Sequence, residues 1–254
     1  MQKRNILINE LGGHPVSFST SDGIKISGLL FRRPNTKKVI IAAHGYFSNK
    51  EGMMHVVDMF PNDHVLLFDF RGHGQSSGNI ISIGYHERKD IAAAVEFLKQ
   101  NGIVNSLPLI GIGNSMGSAT LIGSAAQDVP FDLLVLDSSF AKLEKQLDDT
   151  FTARTGLPKK PFLPIAMQLC YYMGGGIVQD VNPVQWIKQV NIPVLIIHSD
   201  IDELVPIFDA KTMYNNANKP KKLWIVSDAK HGDAWKLDYE HYKKTITNFI
   251  AHYL

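Results

Sequence analysis

The chain has 254 residues, 44% hydrophobic and 20% charged, and its 26 basic and 24 acidic residues leave a net charge of +2. So much apolar sequence buries a large core, which excludes a disordered or fibrous protein, and so small a charge offers no field for a nucleic-acid backbone. The length suits one domain with an insertion, and a lone cysteine, Cys170, excludes an internal disulfide and reads as a buried small hydrophobe.

At the start, MQKRNILINELGGHPVSF lacks the apolar stretch of a signal peptide. No run in the chain reaches the ~18 apolar residues of a membrane-spanning helix, so a cytoplasmic protein is expected. VSFST (16–20) and IKISGLLF (24–31) flank Asp22-Gly23, a hairpin signal. Six apolar runs follow: KVIIAA (38–43), HVLLFDF (64–70), LPLIGIG (107–113), FDLLVLD (131–137), IPVLIIH (192–198) and KLWIVS (222–227). Strands apolar throughout are buried on both faces, as in a parallel sheet. Between them, IAAAVEFLKQNG (91–102) and SMGSATLIGSAAQ (115–127) have helical spacing. The terminal YEHYKKTITNFIAHYL puts Ile246, Phe249, Ile250 and Leu254 on one helical stripe. The prediction is a mostly parallel eight-stranded sheet with an antiparallel N-terminal hairpin and helices on both faces. Residues 141–186 break the alternation with Pro158, Pro161, Pro164, a Gly174-Gly175-Gly176 run and the apolar PFLPIAMQLCYYM. They are too long for a βα connection and are read as a cap over one end of the sheet.

Chemistry is concentrated at strand ends. Gly113-Asn114-Ser115-Met116-Gly117 follows a strand and opens a helix, the setting of a nucleophile elbow, where flanking glycines relieve a turn too tight for side chains. A serine needs a base, and the base an orienting acid. His231, on a loop after the last strand, is the candidate base. Asp200, Asp202 and Glu203 follow the preceding strand; Asp202 is the chosen acid, Asp200 suits a turn, and Asp137 competes from the end of another strand. The Asp-x-Asp spacing comes with no His/Cys cluster, so no metal is expected. An oxyanion hole needs two aimed N–H groups; Met116 offers one by position and Tyr46, after His44-Gly45, the other.

These motifs, with DFRGHGQSSG (69–78) and HSDIDELVP (198–206), resemble the α/β-hydrolase family over nearly the whole chain and in the family's order. Ser199 stands where that family more often has glycine. The short cap resembles the small esterase, monoglyceride-lipase-like and serine-peptidase-like branch. The resemblance implies Ser115 as nucleophile, His231 as base and then acid, Asp202 as orienter, the Tyr46 and Met116 amides as oxyanion donors, and His44 and His73 as scaffold. It also implies acyl transfer from a small-molecule ester or thioester through an acyl-enzyme, with no metal or organic cofactor. The apolar cap favours a carboxylic-ester hydrolase. An amidase or aminopeptidase would use the same triad and would need a cap carboxylate such as Glu144, Asp148 or Asp149 to hold an amine. A noncatalytic binding protein on this fold is the third reading.

Overall fold

The computed structural model describes residues 11–174 and 178–254. The first ten residues, Gly175-Gly176 and the side chain of Cys170 lie outside the described residues. Eight strands form one sheet: β1 (Gly13–Ser19), β2 (Lys25–Phe31), β3 (Val39–Ala43), β4 (His64–Phe68), β5 (Leu109–Asn114), β6 (Leu133–Asp137), β7 (Val194–Ser199) and β8 (Lys221–Val226). Their spatial order is β1-β2-β4-β3-β5-β6-β7-β8. β1 and β2 pair antiparallel, β2 meets β4 antiparallel, and every other pairing is parallel. This is the expected α/β-hydrolase sheet with its N-terminal hairpin. One strand departs from expectation: β8 is at the edge and half-exposed, because only one neighbour covers it.

The helices are α1 (Met54–Met59), α2 (Glu87–Gln100), α3 (Met116–Ala125), α4 (Leu143–Thr155), α5 (Lys159–Gly174), α6 (Pro183–Trp186), α7 (Ile207–Asn216), α8 (Ala234–Leu237) and α9 (Tyr239–Tyr253). Alternation along each strand divides the core in two. Val39, Ile41 and Ala43 of β3 face α2, α3 and α7, through Ile91, Leu121 and Met213 among others. Ile40 and Ala42 face α1 and α9, through Val56, Ile246 and Ile250. On α9, Ile246, Phe249 and Ile250 are buried as expected, but Leu254 lies past the helix end and is exposed. Among the described residues no helix is long and apolar enough to cross a membrane.

Between β6 and β7 the chain builds α4 and α5. Pro161 and Pro164 do not break α5. Lys160 is extended (φ −100°, ψ 133°), so the regular helix starts at Pro161, whose missing N–H has no intrahelical acceptor to lose, and Pro164 follows one turn in. α5 carries Phe162, Ile165 and Leu169 exposed.

The loops after β3 and β4 lock together. His44 Nδ1 donates to the Gly45 carbonyl (2.7 Å) and its Nε2 accepts the Phe70 N–H (3.0 Å). Burial pushes the ring down to about 4, so it is neutral and can serve both as donor and as acceptor. His73 Nε2 donates to the Tyr46 carbonyl (2.6 Å). Lys50 Nζ donates to Asp69 at 2.5 Å and to Gln75 at 3.0 Å, with Lys50 and Asp69 both buried. Replacing Lys50 with methionine strands the Asp69 carboxylate, and urea unfolding is expected to show a loss of about 3–5 kcal/mol; an unchanged midpoint would contradict this role.

Candidate active site

The turn from β5 into α3 begins with a packing constraint. A Cβ on Gly113 would lie 2.6 Å from the Ser118 nitrogen, and one on Gly117 would strike the Ala43 carbonyl. The helix start is pressed against the ends of β3 and β5, so both positions require glycine. Between them Ser115 has φ 51° and ψ −115°, a strained backbone of the kind found where geometry serves a site. Its N–H donates to the Asp137 carbonyl (2.8 Å) at the end of β6, and the Ser118 hydroxyl donates to the same oxygen (2.9 Å).

The structure brings Ser115, His231 and Asp202 into one line. His231 Nε2 lies 2.9 Å from Ser115 Oγ, and His231 Nδ1 lies 2.7 Å from Asp202 Oδ2. With Asp202 accepting from Nδ1–H, Nε2 is left as the acceptor for the serine hydroxyl. The Asp202 side chain is wholly buried, and its Oδ1 accepts the N–H groups of Leu204 (2.9 Å) and Val205 (2.8 Å). Burial pushes this carboxyl up, but the His231 hydrogen bond and charge and the two backbone donors outweigh it and hold the group below the ordinary carboxylate value.

The competing acids have other partners. Asp200 accepts the Asp228 N–H (2.9 Å), a turn role. Glu203 accepts the His231 N–H (3.3 Å). Asp137 is fully buried and accepts the hydroxyls of Ser138 (2.8 Å) and Tyr242 (2.9 Å); burial pushes its carboxyl up, against those two donors. Ser138 Oγ in turn accepts the Gly232 N–H (3.1 Å), next to His231. Buried His198 lies 3.6 Å from Asp202 and pairs with the Val205 carbonyl (2.9 Å). Sequence alone does not single out Tyr242, Ser138 or His198 as site residues: no local motif marks Tyr242 or Ser138, and in HSDIDELVP the acids rather than His198 carry the chemistry.

The loop after β3 closes the other side. A Cβ on Gly45 would come 3.3 Å from Ser115 Cβ, so the backbone leading to Tyr46 runs beside the serine. Tyr46 and Met116 both line the same cavity as Ser115. That cavity, about 670 Å³, takes its apolar wall from Phe140, Leu143, Leu147, Leu204 and Val205. Among the described residues no side chain of PFLPIAMQLCYYM lines it, because α4 lies inside and α5 outside. Glu144, Asp148 and Asp149 point away from the cavity and pair with Lys142 (2.7 Å), Lys159 (2.8 Å) and Lys145. Among the described residues no group of three or more His, Cys, Asp and Glu side chains is arranged to hold a metal ion.

Comparison with known proteins agrees with this fold. The family model described as serine aminopeptidase, S33, matches residues 34–173. YqkD of Bacillus subtilis is 32% identical over 234 residues, spanning 90% of this chain and 76% of its own length. Bem46 of Schizosaccharomyces pombe is 22% identical, spanning 93% of this chain and 76% of its own. Among solved structures, the Pyrococcus furiosus esterase Pf2001 superposes with a TM-score of 0.81 at 25% identity, covering 97% of this chain and 95% of the esterase. Est1E of Butyrivibrio proteoclasticus, solved with ferulic acid bound, gives a TM-score of 0.74 at 21% identity over 94% and 99% of the two chains.

The depressed Asp202 carboxyl has a consequence for stability. Its contribution is present above the unfolded value of about 3.9 and is lost as pH falls through the lower folded value. Asp202→Asn is therefore expected to lower stability by about 1–3 kcal/mol near neutral pH, with the gap to the parent closing below about pH 4. Denaturant titrations across that range check it; a gap that widens on acidification would contradict the assignment.

Proposed function

The chain belongs to the serine aminopeptidase, S33, family of α/β hydrolases, and from that membership and the site geometry we propose that it is a serine hydrolase of carboxylic esters. The observation that carries the reading is the continuous run from Asp202 through His231 to Ser115, with links of 2.7 and 2.9 Å. In the proposed mechanism His231 Nε2 takes the Ser115 proton as Oγ attacks the ester carbonyl. The resulting oxyanion is held by the N–H groups of Tyr46 and Met116. Met116, as the first residue of α3, has an N–H free of any intrahelical partner, and the helix dipole adds positive potential there. Protonated His231 then gives its proton to the leaving alkoxide. Water, deprotonated by the same nitrogen, hydrolyses the acyl-serine. Asp202 holds the imidazole in the right tautomer and stabilises its cation.

Residues 141–186 act in this reading as a cap, with α4 walling the cavity. The apolar wall suits an acyl or alkyl group, and it supports esters, as does the likeness to Pf2001 and Est1E. The family's description favours a second reading, an aminopeptidase. A substrate amine would need an uncommitted carboxylate in the cavity. The two that line it, Glu51 and Asp233, have lysines 3.8 and 2.7 Å away, so the ester reading is preferred.

Incubation with a fluorophosphonate is expected to modify Ser115 in the parent and to leave Ser115→Ala and His231→Ala unmodified, with folding intact. Absence of an adduct under conditions that label a control esterase would overturn the enzyme reading. Asp202→Asn is expected to lower kcat by about four orders of magnitude and Asp137→Asn by far less; the reverse ranking would move the acid to Asp137. A direct comparison of aryl esters with aminoacyl arylamides should favour the esters, and a preference for arylamides would establish the second reading instead.

A further inference from the structure

Among the described residues, four with permanently charged side chains line the cavity beside Ser115: Glu51, Arg154, Asp233 and Lys236. Asp233 and Lys236 pair with each other at 2.7 Å, and Glu51 lies 3.8 Å from Lys50, whose ammonium is also held by Asp69 at 2.5 Å. Arg154 pairs with no carboxylate among the described residues. Its guanidinium carbon sits 5.5 Å from the centre of the Phe47 ring, and Phe47, next to Tyr46, is 80% exposed. Among the described residues Arg154 is therefore the lining cation that no carboxylate holds.

Its position along α4 matters as much as its sign. Leu143, Leu147, Thr150 and Arg154 all line the cavity, and their spacing of four, three and four residues is that of one helical face. At 1.5 Å per residue this face extends for roughly 16 Å. It starts apolar, where Leu143 and Leu147 join Phe140 and Val205, and it ends in the guanidinium. The opposite side of α4 carries Glu144, Lys145, Asp148 and Asp149, whose charges are closed into ion pairs.

We propose that Arg154 is an anion subsite, so that the preferred substrates are esters with an apolar segment along α4 and a carboxylate or phosphate at its far end. The proposal rests on Ser115 being the nucleophile. The planar guanidinium offers paired N–H donors that match either anion. Phe47 keeps the group perched at the cavity rim without neutralising it. Neither acid of the lining is within ion-pair distance of Arg154, so its donors remain open to an incoming anion.

The test uses 4-nitrophenyl esters over a series of chain lengths, each acyl chain ending in methyl, carboxylate or phosphate. The readout is the ratio of kcat/KM for each anionic ester to its methyl counterpart. Arg154→Gln is expected to lower that ratio about tenfold at the best chain length, through KM, with Arg154→Lys retaining part of the preference because it keeps charge but not the fork. Added salt should lower the parent's ratio, since the group is exposed. Lys244→Gln, on the far helix α9, should leave the ratio at the parent value. Whichever anion shows the larger loss identifies the source. A ratio that Arg154→Gln does not change at any length, with the methyl esters still hydrolysed and Ser115 still labelled by fluorophosphonate, overturns the subsite and leaves the hydrolase reading standing. Failure of the parent to hydrolyse any ester or accept the label overturns both.

Discussion

The main-chain hydrogen bond from Ser115 to the Asp137 carbonyl is the contact around which the site is organised. It joins the turn after β5 to the end of β6 while the glycines at 113 and 117 let α3 press onto the sheet. The same Asp137 reaches in two further directions. Its carboxylate binds Tyr242 of α9, and through Ser138 it reaches the amide of Gly232 beside His231. One buried residue thus couples the backbone of the proposed nucleophile, the loop of the proposed base and the last helix. A strained φ at Ser115 persists because these neighbours over-determine it.

Two carboxylates near one imidazole are separated in role by their surroundings. Asp202 accepts two backbone N–H groups as well as the imidazole, and these donors favour the ionised form despite burial. Asp137 has only hydroxyl partners in a fully enclosed site, and burial wins. The group that is cheap to keep charged faces His231; the group that is costly to charge serves as a structural bond. This contrast is the physical reason for assigning Asp202 rather than Asp137 to the imidazolium.

Much of this was legible in the sequence because it is local. Apolar runs of strand length, the glycine-flanked serine, and acid and histidine at later strand ends are short-range patterns that a parallel sheet gathers at one edge. What escaped is long-range or depends on facing. Tyr242 and Asp137 are 105 residues apart, and Ser138 and Gly232 94 apart, and no spacing rule connects them. Glu144, Asp148 and Asp149 mark the charged side of α4 in the sequence, yet the opposite face of that helix lines the cavity. Conversely PFLPIAMQLCYYM reads as pocket wall from composition alone, and its helix lies outside α4 with apolar side chains exposed.

The central claim is that Ser115 carries the acyl group between attack and hydrolysis. Its most direct test is acid quenching of the parent during the first turnovers of a 4-nitrophenyl ester, followed by peptide mass spectrometry. The account predicts a mass increase equal to the acyl group on the peptide containing Ser115, appearing with a burst of nitrophenol and decaying as substrate is exhausted. Turnover without that adduct in a burst, or an acyl group found on a different residue, would contradict it.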